Sequence, residues 1–166
     1  MCELFTRDNI TLAIAVLGAV GTVFSFLSSY MTKRKNLRIN INTITYKTDI
    51  NQLVLITTFE NRSQLPISVI SVSLMVNKQE ITPVRYPSGV GEYIRKNGNE
   101  IIDRKFEYNL KFPVDIQQLC AASGYILFDV SREELESSST PLTLTIRSTR
   151  GRAQKTELPL SLIKWI

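Results

Sequence analysis

Hydrophobic positions along this chain follow two rules, and the change falls near residue 38. From Asn9 to Thr32 the sequence reads NITLAIAVLGAVGTVFSFLSSYMT, without a charged side chain. As a helix rising ~1.5 Å per residue, such a stretch reaches ~36 Å, against a hydrocarbon core of ~30 Å. It predicts a transmembrane helix over residues 9–32. Asp8 or Asn9 offers an oxygen to cap the first turn. Tyr30 falls near the far end, where an amphipathic ring favours the interface. A cleaved signal peptide wants a positive start, a shorter apolar run and a small-residue cleavage site. Here the start is not positive and Lys33-Arg34-Lys35 follows the run, so an uncleaved anchor is expected.

From Leu37 the apolar period becomes two, as in a half-buried strand. Leu37–Asn42 alternates, Leu53–Phe59 is rich in β-formers, and Ile67–Val76 reads ISVISVSLMV. Further strands are predicted at Glu80–Tyr86, Ile101–Phe112, Gly124–Val130, Leu142–Ser148 and Ala153–Leu160. Turn residues separate them at 49–51, 61–63, 87–89, 97–99 and 149–152. Many short strands with little helix between them predict an all-β domain: an immunoglobulin-like antiparallel β-sandwich over residues 39–166. Two short helices are expected inside it. One is Pro113–Ala122, with proline at its start and Gly124 after its end. The other follows Ser131, where Ser131-Arg132-Glu133-Glu134 matches a capping box. Tyr125 sits where a tyrosine corner would fall. The apolar stretch 160–166 is expected to complete the last strand or to pack on the core.

Charge divides the chain the same way. The formal net charge is +5. The residues before the apolar segment are slightly acidic, with Glu3 and Asp8 against Arg7. Lys33, Arg34, Lys35 and Arg38 then form a basic linker over 33–38 that contains no acid. The remainder is close to balanced. An excess of basic residues beside one end of a span marks the cytoplasmic side. The expected topology is therefore a short extracytoplasmic tail at 1–8, a single-pass helix, and a cytoplasmic domain. The linker would lie against anionic lipid. The two cysteines, Cys2 and Cys120, flank the span and cannot pair within one chain, which suits a reducing compartment for the domain. A nearly neutral domain without interleaved aromatic and basic residues gives no reason to expect nucleic acid.

Candidate chemistry is sparse. There is no histidine, which removes the commonest general base and the commonest metal ligand. Cys120, within Leu119-Cys120-Ala121-Ala122, reads as a buried inert thiol. Glu133, Glu134 and Glu136 read as a solvated helix face. Gly89-Val90-Gly91 lacks the rest of a phosphate loop and belongs to a long turn-rich stretch, Pro87–Glu100, that could bind or simply move. No catalytic, cofactor or metal site is expected. Two surfaces remain as candidates. Arg147, Arg150, Arg152 and Lys155 form a basic patch around a hairpin, suited to an anion or an acidic partner. Gly18, Gly21, Thr22, Ser25 and Ser29 recur at spacings of three and four along the apolar segment. That spacing lets helix backbones approach one another, in a second copy or in another membrane protein.

Several segments together resemble a group of small single-pass membrane proteins of low-GC Gram-positive bacteria. They are the apolar start followed by Lys33-Arg34-Lys35-Asn36-Leu37, then Phe59-Glu60-Asn61-Arg62-Ser63-Gln64-Leu65-Pro66-Ile67-Ser68, Ser123-Gly124-Tyr125-Ile126-Leu127-Phe128, and Ser148-Thr149-Arg150-Gly151. The resemblance implies a membrane anchor with a C-terminal β-sandwich-like domain, and it brings no activity or functional residues. The expected function is a membrane-tethered, non-enzymatic binding or adaptor module, with the bilayer and a cytoplasmic protein as partners. One alternative is a prophage- or defence-type protein acting through its helix on other membrane proteins. A second is an enzyme whose site does without histidine.

Overall fold

The computed structural model describes residues 7–98, 100–138 and 141–166. The chain forms two compact units, divided between Arg34 and Lys35. The first is a single helix, α1 (Arg7–Lys33). Within it, Thr11–Met31 is long and apolar enough to cross a membrane. The helix begins before the expected start at Asn9: the backbone at Arg7 and Asp8 is already helical. The side chains that were to cap it lie outside the described residues. The second unit starts two residues before its first strand. Lys35 and Arg38, assigned above to a linker, therefore belong to the folded domain.

The second unit is a β-sandwich. Its strands are β1 (Leu37–Lys47), β2 (Gln52–Asn61), β3 (Ile67–Val76), β4 (Gln79–Ile81), β5 (Gly89–Asn97), β6 (Glu100–Tyr108), β7 (Val114–Ile116), β8 (Ala121–Asp129), β9 (Leu142–Ser148), β10 (Gln154–Leu158) and β11 (Ile163–Trp165), with one short helix, α2 (Arg132–Glu136), after β8. One sheet runs β11-β1-β2-β8. The other runs β10-β9-β3-β4, with β7 also paired to β3. Pairing between these strands is antiparallel, except that β11 lies parallel to β1. Alternating residues of both sheets meet in one core. Tyr46, Leu53, Leu55, Phe59, Ile126 and Phe128 of the first sheet face Val69, Leu74, Leu142, Leu144 and Ile146 of the second. Period-two alternation thus puts one apolar face of each sheet against the other, the arrangement that removes most apolar area from water.

Four expectations change here. Pro113–Ala122 is not a helix. Val114 and Ile116 point inward as a strand and pair with Val69 and Ile67 at the edge of β3; a tertiary edge outweighs a proline start signal. Strand Glu80–Tyr86 shrinks to Gln79–Ile81. Pro83 has no N–H to offer a ladder, and Val84 N–H instead crosses to Leu127 O at 2.9 Å. Pro87–Glu100 is not a loop; it supplies β5 and the start of β6. Tyr125 is not a tyrosine corner, because its hydroxyl bonds a side chain, Glu107. The tyrosine whose hydroxyl reaches a backbone carbonyl is the fully buried Tyr46, 3.1 Å from Val130 O. The capping box forms as expected: Ser131 Oγ accepts from Glu134 N–H while Glu134 Oε2 accepts from Ser131 N–H.

Candidate interaction surfaces

Among the described residues, strands β5 and β6 pair only with each other. Their root is fixed on the outer face of the first sheet. Val84, Val54 and Leu127 form a small buried cluster there, with Val90 and Tyr125 packed on it. Asn109 clamps the two strands at the base. Its side chain accepts from Ser88 N–H (2.8 Å) and donates to Val84 O (2.9 Å). Lys47 Nζ donates to Val90 O at 2.9 Å, and Tyr125 donates to Glu107. That carboxylate, helped by partial burial, pushes the Tyr125 pKa above the ordinary tyrosine value.

Beyond this root the ribbon is bare. Tyr93, Ile94, Ile101, Ile102, Phe106 and Tyr108 are all exposed. The register sets Glu92, Ile94, Arg104 and Phe106 on one face, and Tyr93, Arg95, Asp103 and Lys105 on the other. Arg104 pairs with Glu92 and lies over the Phe106 ring. Among the described residues, no third strand pairs with either long edge of the ribbon. Such edges are templates for pairing with another chain, and a lone two-stranded ribbon is marginal in water. The pattern carried a hairpin signal: Asn97-Gly98-Asn99 between two β-forming runs, with Gly98 at φ 62°.

The second surface closes the end of the sandwich where the chain comes in from α1. Its organiser is Asn61, a residue not singled out by sequence reasoning and almost fully buried. Asn61 Nδ2 donates to Leu65 O (2.8 Å), Gln117 O (3.0 Å) and Ile116 O (3.2 Å). Its Oδ1 accepts from Ser63 N–H at 3.0 Å and from the Ser63 hydroxyl at 2.6 Å. The turn after β2 and the turn before β8 are thereby tied together. Arg150 Nη1 adds the hairpin between β9 and β10, 3.4 Å from Ser63 Oγ. Lys35 adds the incoming chain. Its Nζ donates to Arg152 O at 3.0 Å, and burial pushes its pKa down. Gly151 holds φ 71°, which favours glycine, and a Cβ there would stand 2.8 Å from Lys35 Cδ, so the lysine side chain would have to shift.

The structure therefore brings Lys35 to Arg150 and Arg152, joining two groups that sequence alone kept apart. Arg147 stands on the exposed outer face of β9, level with Ser71. Lys155 is exposed on β10, opposite Thr145, farther along the sheet. Arg34 is exposed, and Arg38 lies opposite Glu60. The side chain of Lys33 lies outside the described residues.

Cys120 is exposed, not buried. It follows Leu119, which holds φ 56° and is 70% exposed. Both residues lie in the turn between β7 and β8, where the left-handed backbone at Leu119 leaves both side chains in solvent. Glu136 pairs with Arg132 and Glu134 caps α2, so the acidic cluster serves the helix. Trp165 completes the first sheet through β11 and packs against Tyr46, with ring centroids 5.0 Å apart and the planes tilted by 56°. On α1, Gly18, Gly21, Thr22, Ser25 and Ser29 fall on one face by their spacing. Thr22 Oγ1 is turned inward, donating to Gly18 O at 2.8 Å.

No family model and no curated protein matches the chain. Among solved structures it is similar to the ligand-binding region of serine-glutamate repeat protein A (SgrA) of Enterococcus faecium. That alignment covers 79% of this chain and 97% of that one, at 16% identity and a TM-score of 0.41. It is also similar to the Iho670 flagellar-like filament, over 92% of this chain and 97% of that one, at 10% identity and a TM-score of 0.35. Neither likeness is close enough to assign an activity.

Proposed function

We propose that this protein is a membrane-tethered, non-enzymatic binding module, anchored by α1, with the domain in the cytoplasm and the β5–β6 ribbon as its capture element. The observation that carries the reading is the ribbon itself. It sets six large hydrophobic side chains in water on a two-stranded element with two unpaired edges. Exposed apolar clusters of this kind mark interaction sites, and an unpaired edge suits a protein partner that adds a strand. Side-chain specificity would come from Ile94, Ile102 and Phe106 with the Glu92–Arg104 pair between them.

A photo-crosslinking residue at Ile102 or Tyr93, in native membranes, is expected to trap a protein partner, while the same residue at Lys78 traps none. Tyr93→Asp with Ile102→Asp should reduce the adduct at least tenfold. Equal trapping at the ribbon and at Lys78 would remove the reading. A helix-centred mode has one feature in its favour, the small-residue face with open space over Gly18 and Gly21. Charged substitutions at those two glycines that spare partner capture would exclude it.

Orientation has its own test. An impermeant maleimide on intact cells should label Cys2 and spare Cys120. Because Cys120 is exposed on the folded domain, permeabilisation alone should then make it reactive, with no denaturant. Labelling of Cys120 from outside would reverse the topology.

A further inference from the structure

The end of the sandwich organised by Asn61 collects basic residues from three separate stretches of chain. Lys35 and Arg38 come from the start of the domain, Arg62 from the turn after β2, and Arg147, Arg150 and Arg152 from the β9–β10 hairpin. Two acids lie nearby. Glu60 is held by Arg62 at 2.7 Å, and Asp115 faces Ser68 on β7. The excess is strongly basic on a domain that is otherwise nearly neutral.

Two apolar tips stand among these cations, Leu119 and Leu65, both exposed. Leu119 N–H donates to Ser63 O at 3.3 Å, the residue whose N–H and hydroxyl Asn61 holds. A leucine at positive φ is strained, and here the strain holds the side chain out in solvent. Strained positions of this sort concentrate where a surface is used. Only Arg34, Lys35 and Asn36 separate α1 from β1, a reach of roughly 11 Å at most.

The geometry points to a second membrane contact. The Asn61 end of the sandwich docks on an anionic lipid surface, with Leu119 as an apolar tip at the headgroup boundary and Lys35, Arg62, Arg150 and Arg152 against lipid phosphates. The inference rests on the anchored reading, because the short tether is what keeps this end beside lipid. Apolar insertion within a ring of basic residues is the chemistry of peripheral membrane contacts, and anionic headgroups supply the opposite charge. Docking would fix how the ribbon is presented, instead of letting the domain turn freely on its tether.

The test uses the full chain with Cys2→Ser, so that Cys120 alone carries a polarity-sensitive dye. It is reconstituted in vesicles of phosphatidylcholine, or of equal parts phosphatidylcholine and phosphatidylglycerol. In the anionic vesicles the emission should shift to the blue and be quenched by nitroxide-headgroup lipid, and high salt should reverse both. Leu119→Asn should abolish the shift without loss of thermal stability, because asparagine tolerates the left-handed conformation. Arg152→Gln should at least halve it, and Lys78→Gln on the β3–β4 turn should leave it unchanged. The same emission in both vesicle types overturns the inference, as does an undiminished shift in Leu119→Asn. Flotation after alkaline extraction reports the anchor separately. Extraction-resistant flotation with no response at Cys120 removes the docking and keeps the anchor; a response without such flotation keeps the docking and removes the anchor.

Discussion

Asn61→Leu should lower the free energy of unfolding by about 3–5 kcal/mol, since each buried polar group left without a partner costs about 1–3 kcal/mol. Leucine has the same branching and is no smaller, so the substitution opens no cavity and the loss of hydrogen bonds is the main term. Three backbone carbonyls, at Leu65, Ile116 and Gln117, lose a donor, and the buried Ser63 N–H loses its acceptor. Some carbonyls will find water as the end loosens, which is why the total stays below the sum of the separate terms. Denaturant unfolding of the full chain in detergent, followed by the single tryptophan, Trp165, measures it. Asn61→Asp is a second variant: it keeps an acceptor for Ser63 but loses the donors, and it should fall between the two. A loss under about 1 kcal/mol in the leucine variant, no more than a typical single hydrogen bond, would show that these turns hold together without Asn61.

Tyr46→Ala should cost a comparable amount, about 3–5 kcal/mol, the range for removing a large aromatic from a core. Tyr46 is fully buried and makes contacts of two kinds. Its ring lies against Trp165, and its hydroxyl lies 3.1 Å from both Val130 O and Asn51 Oδ1. Tyr46→Phe separates them. Keeping the ring and deleting the hydroxyl should cost about 1–2 kcal/mol. The same pair of variants gives a pH dependence. Burial holds the folded-state pKa of Tyr46 above the ordinary tyrosine value of about 10. The contribution of the protonated hydroxyl is therefore complete below pH 10 and is lost as the pH rises through the raised value. Stability of Tyr46→Phe should fall less steeply above pH 10 than that of the native chain. Parallel curves would mean that the hydroxyl does not titrate with unfolding.

Period-two patterning located the sheets well wherever burial on one face set the sequence. Ile67–Val76 and Leu142–Ser148 are strands with the bounds their composition suggests. Patterning failed where a partner at a distance made the decision. Val114–Ile116 carries too little alternation to outweigh a proline, and becomes a strand because the β3 edge is open at Ile67–Val69. Of the ribbon, β6 from Ile101 on falls within the predicted strand Ile101–Phe112, whereas β5 lies in the stretch that reads as turn-rich; Tyr93 and Ile94 face water, so burial imposed no one-sided alternation there. The candidate surfaces were half legible. Arg147, Arg150 and Arg152 stood out by charge, and Lys33–Arg38 by position. That Lys35 reaches Arg152, and that Asn61 ties the turn after β2 to the turn before β8, depends on contacts between distant residues that no local window contains. Cys120 is misplaced for a related reason, since it follows a left-handed residue in a turn and not in a helix or strand.

The parallel pair of β1 and β11 has a kinetic meaning. It joins Ile44 to Ile163 and Tyr46 to Trp165, so the first strand of the sandwich finds its outer neighbour only when the last strand has been made. Contacts that close so long a loop are slow to form. On a ribosome, α1 would be synthesised and able to partition into a bilayer well before that closure. Folding of the sandwich then becomes a late step in biogenesis, and until it happens the outer edge of β1 and the aromatic face of Tyr46 lie open to chaperones and to aggregation.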